Sequence, residues 1–161
     1  MAADTVTYTA LITACANAKQ LGEAMRVFCA METAGVAANT VTYSALITAC
    51  ANTGNPGAAL DLLECMHRGG LRGDAYTFSA VFTAVWRDRS GRFDVRALAL
   101  FDGDVPLDVR NGYVYLPVMS ICGRVARGRV LPLLEEARRI HHCRRPHRLQ
   151  HDPACLSVEE R

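Results

Sequence analysis

A near-verbatim duplication constrains this chain more than anything else in it. Residues Thr5 to Asn17, TVTYTALITACAN, return as TVTYSALITACAN from Thr40 to Asn52, with one letter changed and a spacing of 35 residues. A unit of that length holds two short helices. One helix pair cannot bury its apolar face alone, so successive units must stack into a shared core. The period therefore predicts an all-α fold, an α-solenoid of stacked antiparallel helix-turn-helix repeats.

The apolar spacing within each unit supports this. In the first copy Tyr8, Leu11, Ile12 and Cys15 recur at helical intervals, which predicts an inward-facing A helix over Val6 to Asn17. After a polar turn, Leu21, Ala24, Met25, Phe28 and Met31 trace a B helix that Gly35 ends. The second copy repeats the stripe with Tyr43, Leu46, Ile47 and Cys50, then Ala59, Leu60, Leu63 and Met66. Asn55 is expected to accept from free amides at the second B helix, with Pro56 in its first turn and Gly69-Gly70 at its end. A degenerate third copy, AYTFSAVFTAVWR, begins at Ala75; its turn, Asp88 to Phe93, is longer by about three residues. Ala97, Leu98 and Phe101 then resume a B helix cut short by Gly103 and Pro106.

The units are thus 5–39, 40–74 and 75–108, an array over 5–108. The apolar run Tyr113 to Cys122 and the amphipathic Leu131 to Ile140 predict a further helix pair or C-terminal cap over 109–143. Residues 144–161, with prolines among scattered Arg and His, have no period and read as a basic, disordered tail.

Half of the 161 residues are apolar, enough for a continuous core, and no run is long enough to span a membrane. The net charge of +2 is unevenly spread: residues 1–74 hold four Lys or Arg against six Asp or Glu, and 75–161 hold fourteen against ten. Eight arginines lie between Arg124 and Arg148, a density suited to phosphate or to a solvated face. The seven cysteines form no paired CxxC spacing, and Cys15 and Cys50 share one place in the repeat, so they read as small core residues in a reducing compartment. The first repeat begins so close to Met1 that no transit segment is expected, and its abrupt start suggests a piece of a longer array.

Other constellations are weak. Cys143, His147, His151 and Cys155 have ligand chemistry, but Pro146 and Pro153 break the helix that would align them, so no metal or other cofactor is expected. No nucleophile motif or Gly-rich phosphate loop is present, and Asp102, Asp104 and Asp108 fall in a turn, so the chain does not read as an enzyme.

The unit opening T-V-T-Y-[TS]-A-L-I-T-A-C, the second helix E-A-M-R-V-F-C-A-M or A-A-L-D-L-L-E-C-M, and the late glycine resemble the pentatricopeptide repeat family. The resemblance is close over 5–74 and loose over 75–108. The tetratricopeptide repeat, with a 34-residue period and a Trp-led opening, ranks second. The resemblance implies a superhelix that binds single-stranded RNA, one base per repeat, usually in a chloroplast or mitochondrion. It implies a role in RNA stabilisation, processing, splicing or translation, alongside other ribonucleoprotein components.

By the same resemblance, the residue after the A-helix tyrosine and the last residue of the unit select the base. Thr9 with Asn39 then reads adenine and Ser44 with Asp74 reads guanine, while Ser79 has Asp108 or nothing as its partner. Val6, Val41 and Tyr76 take the places that sandwich bases. Arg87 takes a phosphate-meeting place where the first two repeats have Asn17 and Asn52, so the Arg124–Arg148 stretch is the other candidate for phosphate. The competing class is a protein–protein scaffold of tetratricopeptide-like type whose concave face grips a peptide or a ribonucleoprotein partner. Unmatched aromatics on that face would favour it; Thr, Ser, Asn and Asp favour RNA.

Overall fold

The computed structural model describes residues 4–143. The potential zinc ligands of the tail and the expected disorder of 144–161 lie outside the described residues. Among the described residues the chain is helical throughout, with no strand. The helices are α1 (Thr5–Asn17), α2 (Leu21–Thr33), α3 (Thr40–Thr53), α4 (Pro56–Arg68), α5 (Ala75–Arg87), α6 (Asp94–Gly103), α7 (Gly112–Val125) and α8 (Val130–Cys143). A 3-10 turn, Arg127–Arg129, joins the last two. None is long and apolar enough to cross a membrane.

The odd-numbered A helices stack side by side into one layer. Each even-numbered B helix packs on its own A helix, and α2, α4 and α6 also reach the A helix that follows. The B helices do not approach one another closely; Arg96 of α6 spans from α6 to α4 by bonding Asp61 and Glu64. Small residues let the A helices come close, with Ala16, Ala45, Ala49, Ala51 and Ala84 all buried between them. One apolar core runs from Ile12 to Ala137. Toward its far end Phe82, Phe101 and Tyr115 meet edge to face, with centroids 6.0 and 5.7 Å apart.

Local chemistry explains where the helices begin. Each A helix opens on an Asx cap: Asp4, Asn39 and Asp74 each accept from the backbone N–H three residues on, and Asn111 accepts from Tyr113 and Val114. Asn55 does not cap as expected. Its Nδ2 donates back to the Thr53 carbonyl and hydroxyl, and Pro56 at the first position removes one amide that would have needed a cap. The third unit has the expected longer turn, with α6 opening 19 residues after α5 where α4 opens 16 after α3. The next A helix starts at Gly112, so the third unit extends to Asn111 rather than 108.

Two ion pairs lock the end of the stack. Asp94, buried at the start of α6, holds Arg124 of α7 through two contacts of 2.8 and 3.1 Å. Arg110 lies 4.2 Å over the Phe101 ring and reaches Glu136 of α8 at 2.7 Å. The Tyr115 hydroxyl donates to the same Glu136 oxygen, and burial together with that carboxylate pushes the phenol well above its usual range.

Candidate nucleic-acid interface

The second residue of every A helix points away from the core. Val6, Val41, Tyr76 and Tyr113 are 74, 59, 61 and 76 % exposed, a row of apolar walls along the A-helix layer. An open groove between the first two walls is lined by Val6, Thr9, Thr13, Asn17, Asn39 and Val41. The next groove, between Val41 and Tyr76, adds Ser44, Thr48 and Asp74. Val41 is the shared partition. The residues expected to act in pairs are therefore brought together, each pair in its own cleft.

A threonine from the following helix links each pair. The Thr9 hydroxyl lies 2.8 Å from that of Thr42, and Thr42 donates to Asn39 Oδ1 at 3.0 Å. Likewise the Ser44 hydroxyl bonds that of Thr77, which donates to Asp74 Oδ1 at 2.7 Å. Backbone amides of Thr42 and Thr77 bond the same Oδ1 atoms, which fixes the Asn39 amide with its oxygen inward. What remains for the cleft is an NH2 group from Asn39 and a carboxylate oxygen from Asp74. Ser44 sits deeper than a surface reader would, buried at the floor of its cleft.

The third cleft is built differently. Pro117 inside α7 has no N–H, so the carbonyl of Tyr113 lacks its intrahelical donor, and the Ser79 hydroxyl supplies one at 3.1 Å. The capping place belongs to Asn111, not Asp108, and the linking threonine is replaced by Val114. One unit further on, Leu116 occupies the place of Thr9, Ser44 and Ser79 and is exposed. The hydroxyl row ends there. Sequence reading missed Tyr113 and Asn111; the aromatic one place after a Gly and two after an Asn was the available signal, hidden by the slipped spacing.

Charge along the row is sparse. Asn52 and Arg87 occupy the same place in their helices, and each donates at 3.2 Å to a carbonyl at the end of the preceding A helix, Ala16 and Ala51. Arg124 does the same to Val85 and Trp86. These side chains clamp successive helices through carbonyls of their last turns. Arg124 is committed to that clamp and to Asp94, Arg129 pairs with Asp102 at 2.6 Å, and Arg127 bonds Gly123, so these members of the arginine-rich stretch serve the fold. Exposed Arg87 and Arg89 line a groove at the end of α5 with Trp86, Ser120 and Arg124, and give that end of the row its basic edge.

Among the described residues no cluster of His, Cys, Asp or Glu is arranged to hold a metal ion. Cys50 is buried, and desolvation pushes its thiol up to about 11.

The sequence pattern of the PPR repeat family matches residues 3–52 and again residues 38–87. No curated protein matches the chain. Among solved structures, the chain is similar to the pentatricopeptide repeat protein PPR10 in complex with an 18-nt psaJ RNA element, at TM-score 0.69 and 25% identity, covering 86% of this chain and 20% of that one. It therefore spans about a fifth of the length of PPR10. The PPR domain of Arabidopsis thaliana protein-only RNase P 1, in complex with tRNA, shares the fold at TM-score 0.70 and 14% identity, over 90% of this chain and 75% of that one. With its two family matches spanning more than half the sequence and its stack of helix pairs superposing on these solenoids, the chain belongs to the PPR repeat family.

Proposed function

We propose that this chain binds single-stranded RNA along its A-helix row, seating one base in each cleft between successive walls. The observation that carries the reading is the pairing of an apolar partition with a polar pair in each cleft: Val6 and Val41 around Thr9 and Asn39, then Val41 and Tyr76 around Ser44 and Asp74. Apolar side chains on both faces of a base, aliphatic at Val6 and Val41 and aromatic at Tyr76, supply sequence-independent contact, and the polar pair meets its exposed edge. The RNA complexes of PPR10 and of the RNase P domain support it.

The first cleft offers hydroxyl lone pairs and an NH2 group, which suits adenine, whose edge presents a donor beside an acceptor. The second offers hydroxyl lone pairs and a carboxylate oxygen, which suits the adjacent N–H groups of guanine. The chain holds the RNA without doing chemistry on it. Its proposed setting is a chloroplast or mitochondrion, in stabilisation, processing, splicing or translation, together with other ribonucleoprotein components; family membership supports that setting.

Stacking of about 1–3 kcal/mol per base over two or three bases gives millimolar to weak micromolar binding after association costs. With Arg87 and Arg89 as the basic edge, the salt slope should be shallow, no steeper than about −1.5. Titration of the isotope-labelled chain with short single-stranded oligonucleotides tests the reading by NMR. Shifts at Val6, Val41 and Tyr76, and a preference that moves from guanine toward uracil at one position on Ser44→Asn, are expected. Shifts confined to the B-helix face, or a preference unmoved by Ser44→Asn, would sink it.

A further inference from the structure

Thr42 and Thr77 are completely buried and line neither cleft, yet each touches both members of a base-facing pair. We propose that they are positioning residues that set which way the cleft hydroxyls point their protons. The inference rests on the RNA-reading function above.

A hydroxyl has one proton to give. Asn39 Oδ1 and the Asp74 carboxylate can only accept, so the contacts at 3.0 and 2.7 Å consume the protons of Thr42 and Thr77. The remaining bonds, Thr9 to Thr42 and Ser44 to Thr77, can then run in one direction alone, with Thr9 and Ser44 donating inward. Each cleft hydroxyl is left with lone pairs only. A group that rotates freely would both give and take, and would tell a base donor from a base acceptor poorly. Here the helix cap, through one buried threonine, makes it an obligate acceptor.

The third unit lacks this threonine, having Val114 in its place, and reaches the same end by another route. Ser79 gives its proton to the Tyr113 carbonyl that Pro117 leaves unclaimed. By two unlike devices, all three hydroxyls commit their proton to a group on the next A helix.

The test compares the full chain with Thr42→Val, which keeps the shape and removes the hydroxyl, and with Thr42→Ser, which restores it. Short single-stranded oligonucleotides carrying each base in turn are titrated, and affinity at the first cleft is read from the Asn39 side-chain amide signal. The unaltered chain should prefer adenine over guanine there by about tenfold, the worth of one mismatched hydrogen-bonding edge. Thr42→Val should reduce that ratio to about twofold, chiefly by letting guanine in, while the second cleft and the adenine-to-cytosine ratio stay put. Cytosine presents the same donor beside acceptor as adenine, so it reports on size rather than on proton direction. Thr42→Ser should recover the preference.

A Thr42→Val chain that discriminates as well as the unaltered one overturns the proposal and leaves RNA reading standing. An unaltered chain that binds no oligonucleotide overturns both. Should Thr42→Val lose its fold by circular dichroism, Thr77→Val puts the same question to the guanine preference of the second cleft: a weakened preference supports the proposal and an unchanged one overturns it.

Discussion

Helices α1 and α3 differ at a single one of thirteen positions, Thr9 against Ser44, yet they live in different surroundings. Leu46 is fully buried while its counterpart Leu11, placed on the inward stripe by its spacing, is 49 % exposed. Cys50 is buried and Cys15 only half so. The side of α3 that carries Leu46 is covered by the first helix pair; no described element covers the matching side of α1. Amphipathic spacing identifies the residues that are able to bury. A neighbour decides which of them do.

The largest consequence is energetic. Leu46→Ala should cost about 2–5 kcal/mol in chemical denaturation, because it removes methyls and leaves a cavity, whereas Leu11→Ala should cost less than about 1. Equal losses at the two sites would mean that α1 is covered in solution.

Thiol labelling sharpens the contrast. With its thiol pushed up to about 11 rather than the ordinary 9.0, Cys50 carries about a hundredfold less thiolate near pH 8, and its burial adds protection. Iodoacetamide followed by mass spectrometry should modify exposed Cys29 and Cys65 first, Cys15 next, and Cys50 only on unfolding.

The turns after α1 and α3 are matched in place but not in residue. Lys19 holds a left-handed φ of +57° where the second unit has Gly54 at +70°. A side chain is strained there, so Lys19→Gly should raise stability by about 0.5–1 kcal/mol and Gly54→Lys should lower it by about 1–2, both measured by thermal melts. If Lys19→Gly destabilised the protein, contacts of the lysine would outweigh its backbone cost.

The smallest effect is acid loosening of the first helix. Bonds from the Thr7 backbone and side chain hold the Asp4 carboxyl below its usual 3.8. A depressed acid contributes its stability above the unfolded value and loses it as pH falls through the folded one, so capping by Asp4 should fade below about pH 4. Asn39 caps α3 without titrating. Acidification to pH 3 should therefore weaken hydrogen-exchange protection at the start of α1 more than at the start of α3, and Asp4→Asn should abolish that acid-induced loss.

Much of this fold is legible in the letters because repeat proteins are built from local instructions. The period, the helix spans of the first two units and the longer third turn all follow from residues three, four or 35 apart. Spacing misleads where local rules have competing solutions. Asn55 is a reasonable cap by position, but Pro56 behind it leaves less to cap and Thr53 offers acceptors nearer by. The 35-residue period from Asp74 lands on Val109, beside Asp108, because the third unit runs to 37 residues and so moves the cap to Asn111, a place the first two units do not predict. The arginines from Arg124 onward read as a basic patch. Arg124 is instead spent on carbonyls 36 to 39 residues away, the clamp that Asn52 and Arg87 also make, and on Asp94, a partner with no counterpart in the earlier units.

The sequence by itself determined the repeat, the helix spans of the first two units and, through the family resemblance, the outward-facing second residues of the first three A helices. Those are short-range matters of backbone amides, side-chain length and apolar periodicity. Tertiary structure alone decided which of two matching leucines is buried and which arginines hold the fold. It also decided that Thr9 meets Asn39, and Ser44 meets Asp74, through a threonine of the next helix. Each of those outcomes depends on a proton or a neighbour supplied from some thirty residues away, after the helices have stacked.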